Sequence, residues 1–250
     1  MENIPLPSSI DVERKDAQSA TITVTPCYPG YGTTLGNAMR RVLLSSLPGA
    51  AITDVKIKGA DHEFTTLPNV KEDVVTIILN LKSVRLKLQG DEPMTITLKV
   101  KGDKVVKAKD FTVPSQVEIV NGSQVIATLT DKDAEFELEA RVAPGRGYIP
   151  VETREKEERE IGQIAIDAIY TPVRTVNFST EHVRVGQMTN FDKLKLDITT
   201  DGTIDPEQAF RDAAEVLFAH FDLLKAPLAE KEAEKEEVAE EAEEEVKESK

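Results

Sequence analysis

The sequence has few of the residue types on which disulfides, membrane anchors and metal centres depend. Cys27 is its only cysteine, so the chain can form no intramolecular disulfide and no cysteine-based zinc site. It contains no run of 18 consecutive apolar residues, and its first residues combine neither a basic segment nor an apolar run. The sequence therefore predicts neither secretion nor a membrane-spanning segment, and a reducing, cytoplasmic location is expected.

Catalytic patterns are equally scarce. The three histidines, His62, His182 and His220, are scattered, and none belongs to a metal-binding spacing such as His-Glu-x-x-His. No Gly-x-Ser-x-Gly nucleophile motif occurs. The acidic clusters lie in charged runs without a rigid scaffold that could fix a pair of carboxylates. We therefore expect no catalytic residue, no metal site and no cofactor.

Negative charge is concentrated at the carboxyl end. Residues 228–250 contain 11 Glu and 4 Lys and account for half of the net charge of -14. Because this segment has too few large apolar residues for a core, it is predicted to be a disordered acidic tail, the alternative being a contact with a basic protein. The rest of the chain is only mildly acidic, which argues against binding of nucleic acid over a broad surface.

The most informative stretch runs from residue 30 to residue 49. It is typical of a glycine-rich turn followed by an amphipathic helix that Pro48 and Gly49 end. The apolar stripe of this helix consists of Leu35, Met39, Val42, Leu43 and Leu47. A second flank bears Asn37, Arg40, Arg41 and Leu44. At helical spacing these two sets lie on different sides, so one face can pack and the other can recognise a partner.

Three glycines shape the start of this helix. Gly30 and Gly32 permit a positive φ, and Gly36 lets another backbone approach. Either Thr33 or Thr34 is predicted to cap the helix with its hydroxyl. The glycine spacing differs from the dinucleotide fingerprint and no Gly-Lys-Ser/Thr follows. An acidic module that binds a small anion or nucleotide at this turn nevertheless stays open as the alternative function.

The middle of the chain is predicted to be rich in β-strands, because short alternating runs are separated by Gly, Asp, Asn and Pro. The predicted strands are residues 20–25, 52–58, 84–89, 94–101, 116–120, 125–129, 135–142, 173–185 and 193–200. One helix interrupts them and carries Val70, Val74, Ile77, Ile78 and Leu81 on a single face. The charged segment 145–162 is predicted to be an irregular, solvated loop.

A second amphipathic helix is predicted from Asp205 to Leu224. Asp205 is a favourable N-cap, Pro206 suits the first helical position, and Gln208 can complete a capping box. The apolar face of this helix consists of Phe210, Ala213, Ala214, Leu217, Phe221 and Leu224. Two amphipathic helices thus lie near opposite ends of a folded unit, which permits a domain built from both ends with a second domain inserted between Pro48 and Pro172.

Several motifs of the chain are similar to those of one protein family. The run 30–49 resembles the signature helix of the bacterial RNA polymerase alpha subunit, in its N-terminal part. The other similar motifs, in family order, are His62-Glu63-Phe64, Glu72-Asp73-Val74 with Leu79-Asn80-Leu81-Lys82, Gly145-Arg146-Gly147-Tyr148-Ile149-Pro150, Tyr170-Thr171-Pro172-Val173 and Asp201-Gly202-Thr203-Ile204-Asp205-Pro206. The resemblance extends over about residues 18 to 225.

The resemblance implies an α+β fold with a discontinuous dimerisation domain, in which two amphipathic helices pack on an antiparallel sheet. The implied domains are 1–49 with 173–227 for dimerisation, 50–172 as an inserted β-rich domain, and 228–250 as the acidic tail. It also implies a non-catalytic subunit that forms a homodimer and assembles the beta and beta-prime subunits of DNA-directed RNA polymerase, with omega and sigma in the holoenzyme. Such a subunit is cytoplasmic and associates with the nucleoid within the polymerase.

The resemblance further implies roles for individual residues. Those that would dock the beta subunit are Asn37, Arg40, Arg41 and Leu44, with Arg41 at the position of the family's assembly-critical arginine. Those that would contact beta-prime or support assembly are Lys82, Ile166 and Arg184. The implied dimer interface consists of Tyr31, Leu35, Met39, Val42, Leu43, Phe210, Leu217 and Phe221. If the resemblance is set aside, the alternative interpretation is that the arginines are solvated charges, that Ile166 is a core residue and that the apolar stripes pack within one chain.

Two departures from the family pattern carry expectations of their own. Met188 stands where a basic residue is expected, so a partner contact there is in doubt. Family members often continue into a small helical module that binds upstream promoter DNA, whereas this chain ends soon after Pro227. We therefore expect no such module and no strong DNA binding by the isolated chain, because the glutamates of the tail repel phosphates.

Overall fold

The computed structural model describes residues 4–154 and 162–225. The described residues form mainly antiparallel strands together with three α-helices, which confirms the α+β class. The helices are α1 (Tyr31–Ser45), α2 (Val74–Lys82) and α3, which is helical from residue 206 to residue 225. The predicted acidic tail, 228–250, lies outside the described residues.

Fourteen strands are present in the described part of the chain. In chain order they are β1 (Ser9–Arg14), β2 (Ser19–Cys27), β3 (Pro48–Ile57), β4 (Leu86–Leu88), β5 (Met94–Lys101), β6 (Val105–Lys107), β7 (Val117–Ile119), β8 (Val125–Thr128), β9 (Glu135–Arg146), β10 (Tyr148–Ile149), β11 (Gln163–Ala165), β12 (Ala168–Ile169), β13 (Val173–Val185) and β14 (Met188–Thr200). Residues 108–110 and 151–154 form short 3-10 helices.

A four-stranded antiparallel sheet is built from both ends of the described chain. Its strand order is β1-β2-β14-β13, so β2 near the beginning pairs with β14 near the end. Because successive side chains of a strand point to opposite faces of the sheet, Ile22, Leu196 and Ile198 share one face, where α1 and α3 cover them. The resulting core, called here the end core, also contains Leu43 from α1 and Ala213 from α3.

A larger sheet occupies the middle of the chain. Its strand order is β5-β9-β3-β4-β7, with β11 pairing on β3. Buried residues of α2, such as Ile77 and Leu81, pack against the apolar side chains of this sheet. This second cluster, the middle core, draws its fully buried residues from between Ile52 and Ile166. Two hydrophobic cores therefore form from different parts of the sequence.

The predicted strands are all present, although the bounds of most of them differ. β5 and β13 have the predicted bounds, whereas β9 continues four residues further, to Arg146. The prediction that Val70 belongs to a helical face is wrong. α2 begins only at Val74, because Asp73 caps it by accepting a hydrogen bond from the Thr76 N–H (2.9 Å).

The segment 145–162 differs from the predicted solvated loop. Gly145 and Arg146 extend β9, and Tyr148 opens β10. Arg154 is buried, and its guanidinium donates hydrogen bonds to the carbonyl oxygens of Ile166 and Thr53. The prediction is therefore wrong for residues 145–154, because backbone acceptors satisfy an arginine that the charge pattern assigned to solvent. Residues 155–161, which carry the rest of the charged run, lie outside the described part.

The helix starts were predicted with mixed success. The Thr33 and Thr34 caps are wrong, because α1 begins at Tyr31 after Gly30, whose φ is 85°. Asp205 does cap α3, since its carboxylate accepts from the Glu207 N–H (3.0 Å). The Gln208 capping box is not formed in this structure, because the Gln208 amide donates to Asp212 instead (2.6 Å).

Candidate interaction surfaces

Helix α1 lies unusually close to the four-stranded sheet. A Cβ atom at Gly36 would lie 2.6 Å from Phe178 Cδ2 and 2.9 Å from Leu194 Cδ1. At Gly32 it would lie 2.8 Å from Asp192 Cβ. The predicted close approach at Gly36 is therefore present, but side chains of β13 and β14 make it rather than another backbone. These glycines fix how deeply α1 sits, and so which of its side chains remain outside.

The amino end of α1 is occupied by a carboxylate from the sheet. Asp192, which is 5% exposed, accepts hydrogen bonds from the N–H groups of Gly30 (2.9 Å) and Gly32 (3.2 Å). His182 Nδ1 lies 3.4 Å from the other oxygen of Asp192. Because a negative group already fills the site where a helix would bind an anion, this geometry disfavours the anion- or nucleotide-binding alternative. No local sequence pattern indicates this contact, because Gly30 and Asp192 are 162 positions apart.

The predicted recognition flank of α1 is brought together on the outside of the protein. Asn37, Arg40 and Arg41 are exposed, while Leu44 is half-buried against the end core. Thr171 donates from Oγ1 to the Leu44 carbonyl oxygen (3.3 Å), which ties the end of this flank to the segment before β13. The flank thus combines two guanidinium groups with an amide and a partly covered leucine.

The predicted dimer residues divide into an inner and an outer set. Met39 and Leu43 are buried in the end core, and Val42, Phe210 and Leu217 are half-buried against it. Tyr31, Leu35 and Phe221 are exposed. The inner set packs within one chain, which agrees with the alternative interpretation that the apolar stripes of the two helices form part of a core. The outer set leaves an apolar surface open on the two helices.

This outer surface is larger than the sequence predicted. Leu217 of α3 lines a shallow depression together with Asn37, Ala38 and Arg41 of α1. The next turns of α3 add Phe218, Leu223 and Leu224, all of them exposed. Tyr28 also belongs here, because its ring packs edge-to-face on Tyr31 with the centroids 5.8 Å apart. Periodicity indicated Leu224 as part of the apolar face of α3, but it did not indicate Tyr28, Phe218 or Leu223, which lie outside the predicted stripes.

The remaining predicted residues lie at two places. Lys82, at the end of α2, donates to the Asp167 carboxylate (2.8 Å), and the adjacent Ile166 is buried in the middle core. Arg184 lies on the other sheet, near the turn between β13 and β14, where its Nε donates to the Gly186 carbonyl oxygen (2.8 Å). Met188, which departs from the family pattern, is exposed at the same turn. The structure thus brings Lys82 and Ile166 together and places Arg184 elsewhere.

Two classes of site were sought among residues 4–154 and 162–225. No group of His, Cys, Asp or Glu side chains there could hold a metal ion. None of the helices in the same ranges is long and apolar enough to cross a membrane.

Comparison with known proteins identifies the family. Residues 55–171 match the family described as the RNA polymerase Rpb3/RpoA insert domain. The DNA-directed RNA polymerase subunit alpha of Carboxydothermus hydrogenoformans is 47% identical over 214 residues, which are 86% of this chain and 68% of that protein. This chain belongs to the family of DNA-directed RNA polymerase alpha subunits.

Other alpha subunits agree with this assignment. That of a Roseiflexus species is 49% identical over 217 residues, covering 87% of this chain and 66% of the relative. That of Moorella thermoacetica is 46% identical over 214 residues, covering 86% and 68%. The chain thus spans about two thirds of the length of these relatives. Membership confirms the resemblance seen in the motifs and assigns the chain to transcription by RNA polymerase.

Proposed function

We propose that this chain is a non-catalytic alpha subunit that forms a homodimer and uses it to gather the beta and beta-prime subunits of RNA polymerase. The observation that carries the proposal is the exposed apolar surface of α1 and α3 beside the arginine-bearing flank of α1. An apolar patch rimmed by polar groups is typical of a protein interface. The two neighbouring surfaces have different chemistry, and we assign them to different partners.

The dimer is assigned to the outer apolar surface. Phe218 and Phe221 are 73% and 64% exposed, and Tyr31 and Leu35 are exposed on the neighbouring helix. A two-fold axis allows such a patch to cover its own copy, so that one sequence feature serves both protomers. Met39, Val42, Leu43, Phe210 and Leu217 then act mainly from beneath, by setting the position of the helices that present the patch.

Light scattering of the purified chain tests the dimer. We expect a mass about twice the 27.6 kDa of one chain at micromolar concentration, and a mass of one chain after Phe221→Glu, because the introduced carboxylate cannot be buried without a partner. Phe64→Glu is the matched control, since Phe64 is also largely exposed but lies on the loop before α2. A wild-type mass of 27.6 kDa would refute the dimer.

The flank formed by Asn37, Arg40, Arg41 and Leu44 is assigned to the beta subunit. Exposed guanidinium groups beside a partly buried leucine suit an interface, because an arginine fork that is desolvated on binding contributes strongly to affinity. We expect Arg41→Ala to weaken capture of beta by about 2 kcal/mol or more while the dimer persists. Arg141→Ala, at an exposed arginine of β9, is the control. Wild-type capture by Arg41→Ala would contradict the assignment.

The two protomers then hold different partners, one beta and the other mainly beta-prime. Lys82, Ile166 and Arg184 are assigned to the beta-prime side or to support of assembly. Arg184 lies on β13 of the four-stranded sheet, whereas Lys82 ends α2 and Ile166 is buried in the middle core, so Arg184 and the Lys82–Ile166 pair are separate sites in this proposal.

The domain arrangement proposed with this function is a dimerisation domain from 1–49 and 173–227 and an inserted domain from 50–172. The separation of the end core and the middle core supports it. Support also comes from the family match, which covers residues 55–171 and carries the description of an insert domain.

A further inference from the structure

The ammonium group of Lys82 is already satisfied within the chain. Lys82 ends α2, and its Nζ donates to Asp167 Oδ2 at 2.8 Å. The two side chains are only 24% and 28% exposed, so the pair is largely covered. A partner carboxylate that bound Lys82 directly would have to displace Asp167 and leave it partly buried without its cation, which is unfavourable.

Asp167 connects three segments of the chain. Its second oxygen accepts a hydrogen bond from the Val151 N–H (3.0 Å), at the start of the 3-10 helix 151–154. Tyr148 lies in β10, which pairs with β12 in the register Tyr148 to Ile169. Because Asp167 directly precedes β12, its carboxylate links the end of α2 and the 3-10 helix 151–154 to the β10–β12 ribbon.

Ile166 anchors the same turn from inside. Its side chain is buried in the middle core, and its N–H donates to the Thr53 carbonyl oxygen on β3 (2.8 Å). Its own carbonyl oxygen accepts from the buried guanidinium of Arg154. The two positions assigned to the beta-prime side thus converge on one ribbon, and neither offers a free polar group outward. The large side chain that the ribbon does present is Tyr148, which is 57% exposed.

We propose that Lys82 and Ile166 act in assembly through the β10–β12 ribbon, that Asp167 is the positioning residue that connects them, and that Tyr148 is the contact residue for the beta-prime subunit. This inference rests on the proposed scaffold function. A tyrosine suits the role because it offers a large amphipathic surface with few rotatable bonds, and because the pairing of β10 with β12 fixes its backbone before binding.

The test uses the full chain as a preformed complex with beta and measures how much beta-prime it retains. We expect Tyr148→Ala to lower retention about tenfold, the effect of a moderate interface hot spot, without changing the urea midpoint of the isolated chain. Tyr148→Phe keeps the ring and should retain most of the binding. Lys58→Met, which removes an exposed lysine from its ion pair with Glu137 (3.3 Å), is the control and should have no effect.

A double-mutant cycle separates positioning from direct contact by Lys82. If Lys82 acts through Asp167, then Lys82→Met, Asp167→Asn and the double variant should lose retention to the same extent, because all three break one unit. Loss with Lys82→Met but not with Asp167→Asn would overturn the inference, as would wild-type retention by Tyr148→Ala. Failure of the wild-type chain to bind beta at all would overturn the proposed function itself, and that result is distinguishable because it precedes the beta-prime step.

Discussion

Asp167 shows how a single residue carries a pH-dependent contribution to stability. The hydrogen bond from Lys82, followed by the Val151 N–H, holds the pKa of this carboxyl below its ordinary value. A lowered folded-state pKa stabilises the protein at pH values above the ordinary pKa of about 3.9, and this contribution is lost as the pH falls through the folded-state pKa. We therefore expect Lys82→Met to destabilise the chain at pH 7 and to have little effect near the acid limit of folding.

Urea unfolding of the wild type and of Lys82→Met at several pH values measures this dependence. The control is Lys87→Met, because Lys87 is an exposed lysine of β4 in the same part of the chain. A destabilisation by Lys82→Met that stays constant down to the lowest pH at which both proteins fold would show that the lysine stabilises by packing rather than by charge.

Gly36 sets the depth of α1 in the end core. Alanine has the higher helix propensity, by about 1 kcal/mol. A Cβ at this position would, however, come within 2.6 Å of Phe178 and 2.9 Å of Leu194, so α1 or these side chains must shift. Because overpacking costs about 1 to 3 kcal/mol, we expect Gly36→Ala to lower the free energy of unfolding in urea. Thr33→Ala, at an exposed position of the same helix, should change it little, and a stabilised Gly36→Ala would contradict the packing argument.

At the level of elements, the start of α1 depends on Asp192 of β14. Its carboxylate satisfies the N–H groups of Gly30 and Gly32, which have no partner within the first helical turn. We expect Asp192→Ala to cost about 1 to 3 kcal/mol of stability, because it leaves buried donors unsatisfied. Circular dichroism during urea unfolding measures this. His182→Ala removes the exposed second partner of Asp192 and should cost much less, so an equal loss in both variants would locate the effect in the His182 contact.

Elements that follow from a pattern of neighbouring residues could be predicted, whereas features that depend on contacts between distant residues could not. β13 and β5 were found because alternation over many residues is a strong signal. β1 was missed because it is an edge strand with both faces largely exposed, and β10 and β12 were missed because two residues show no period. The cap at Asp192 and the ion pair at Asp167 depend on contacts between distant residues, so no local pattern could predict them. Motif resemblance assigned roles to individual residues, and these remain predictions, but it did not indicate which of the residues the chain buries.

For the whole molecule, several contacts link the segments that build the two cores. Arg85, beside β4, places Nε 3.8 Å from a carboxylate oxygen of Asp201, and burial lowers the pKa of the Arg85 guanidinium. A Cβ at Gly202 would lie 3.1 Å from Val120 Cγ1, so the segment after β14 lies against the end of β7. These contacts contribute to the orientation of the middle core on the end core.

The two places where the chain passes between the end core and the middle core lie side by side. A Cβ at Gly49 would collide with the Tyr170 carbonyl oxygen and would lie 3.7 Å from Pro172 Cδ. The ends of the segment 50–172 are therefore close enough for a linker of roughly three residues to replace it. Because the end core takes its buried residues from positions 22–47 and 173–213, the deleted chain keeps that core complete. We expect it to fold and to form a homodimer by light scattering.

Phe221→Glu in the same deletion variant supplies the matched control. If the outer surface of α1 and α3 forms the dimer, this variant should stay folded by circular dichroism but have the mass of a single chain. The exposed position of Phe221 makes the substitution tolerable in the monomer, whereas a carboxylate at a two-fold interface would be buried twice. A deletion variant that is unfolded would refute the domain division, and one that is folded but monomeric would show that the inserted segment takes part in dimerisation.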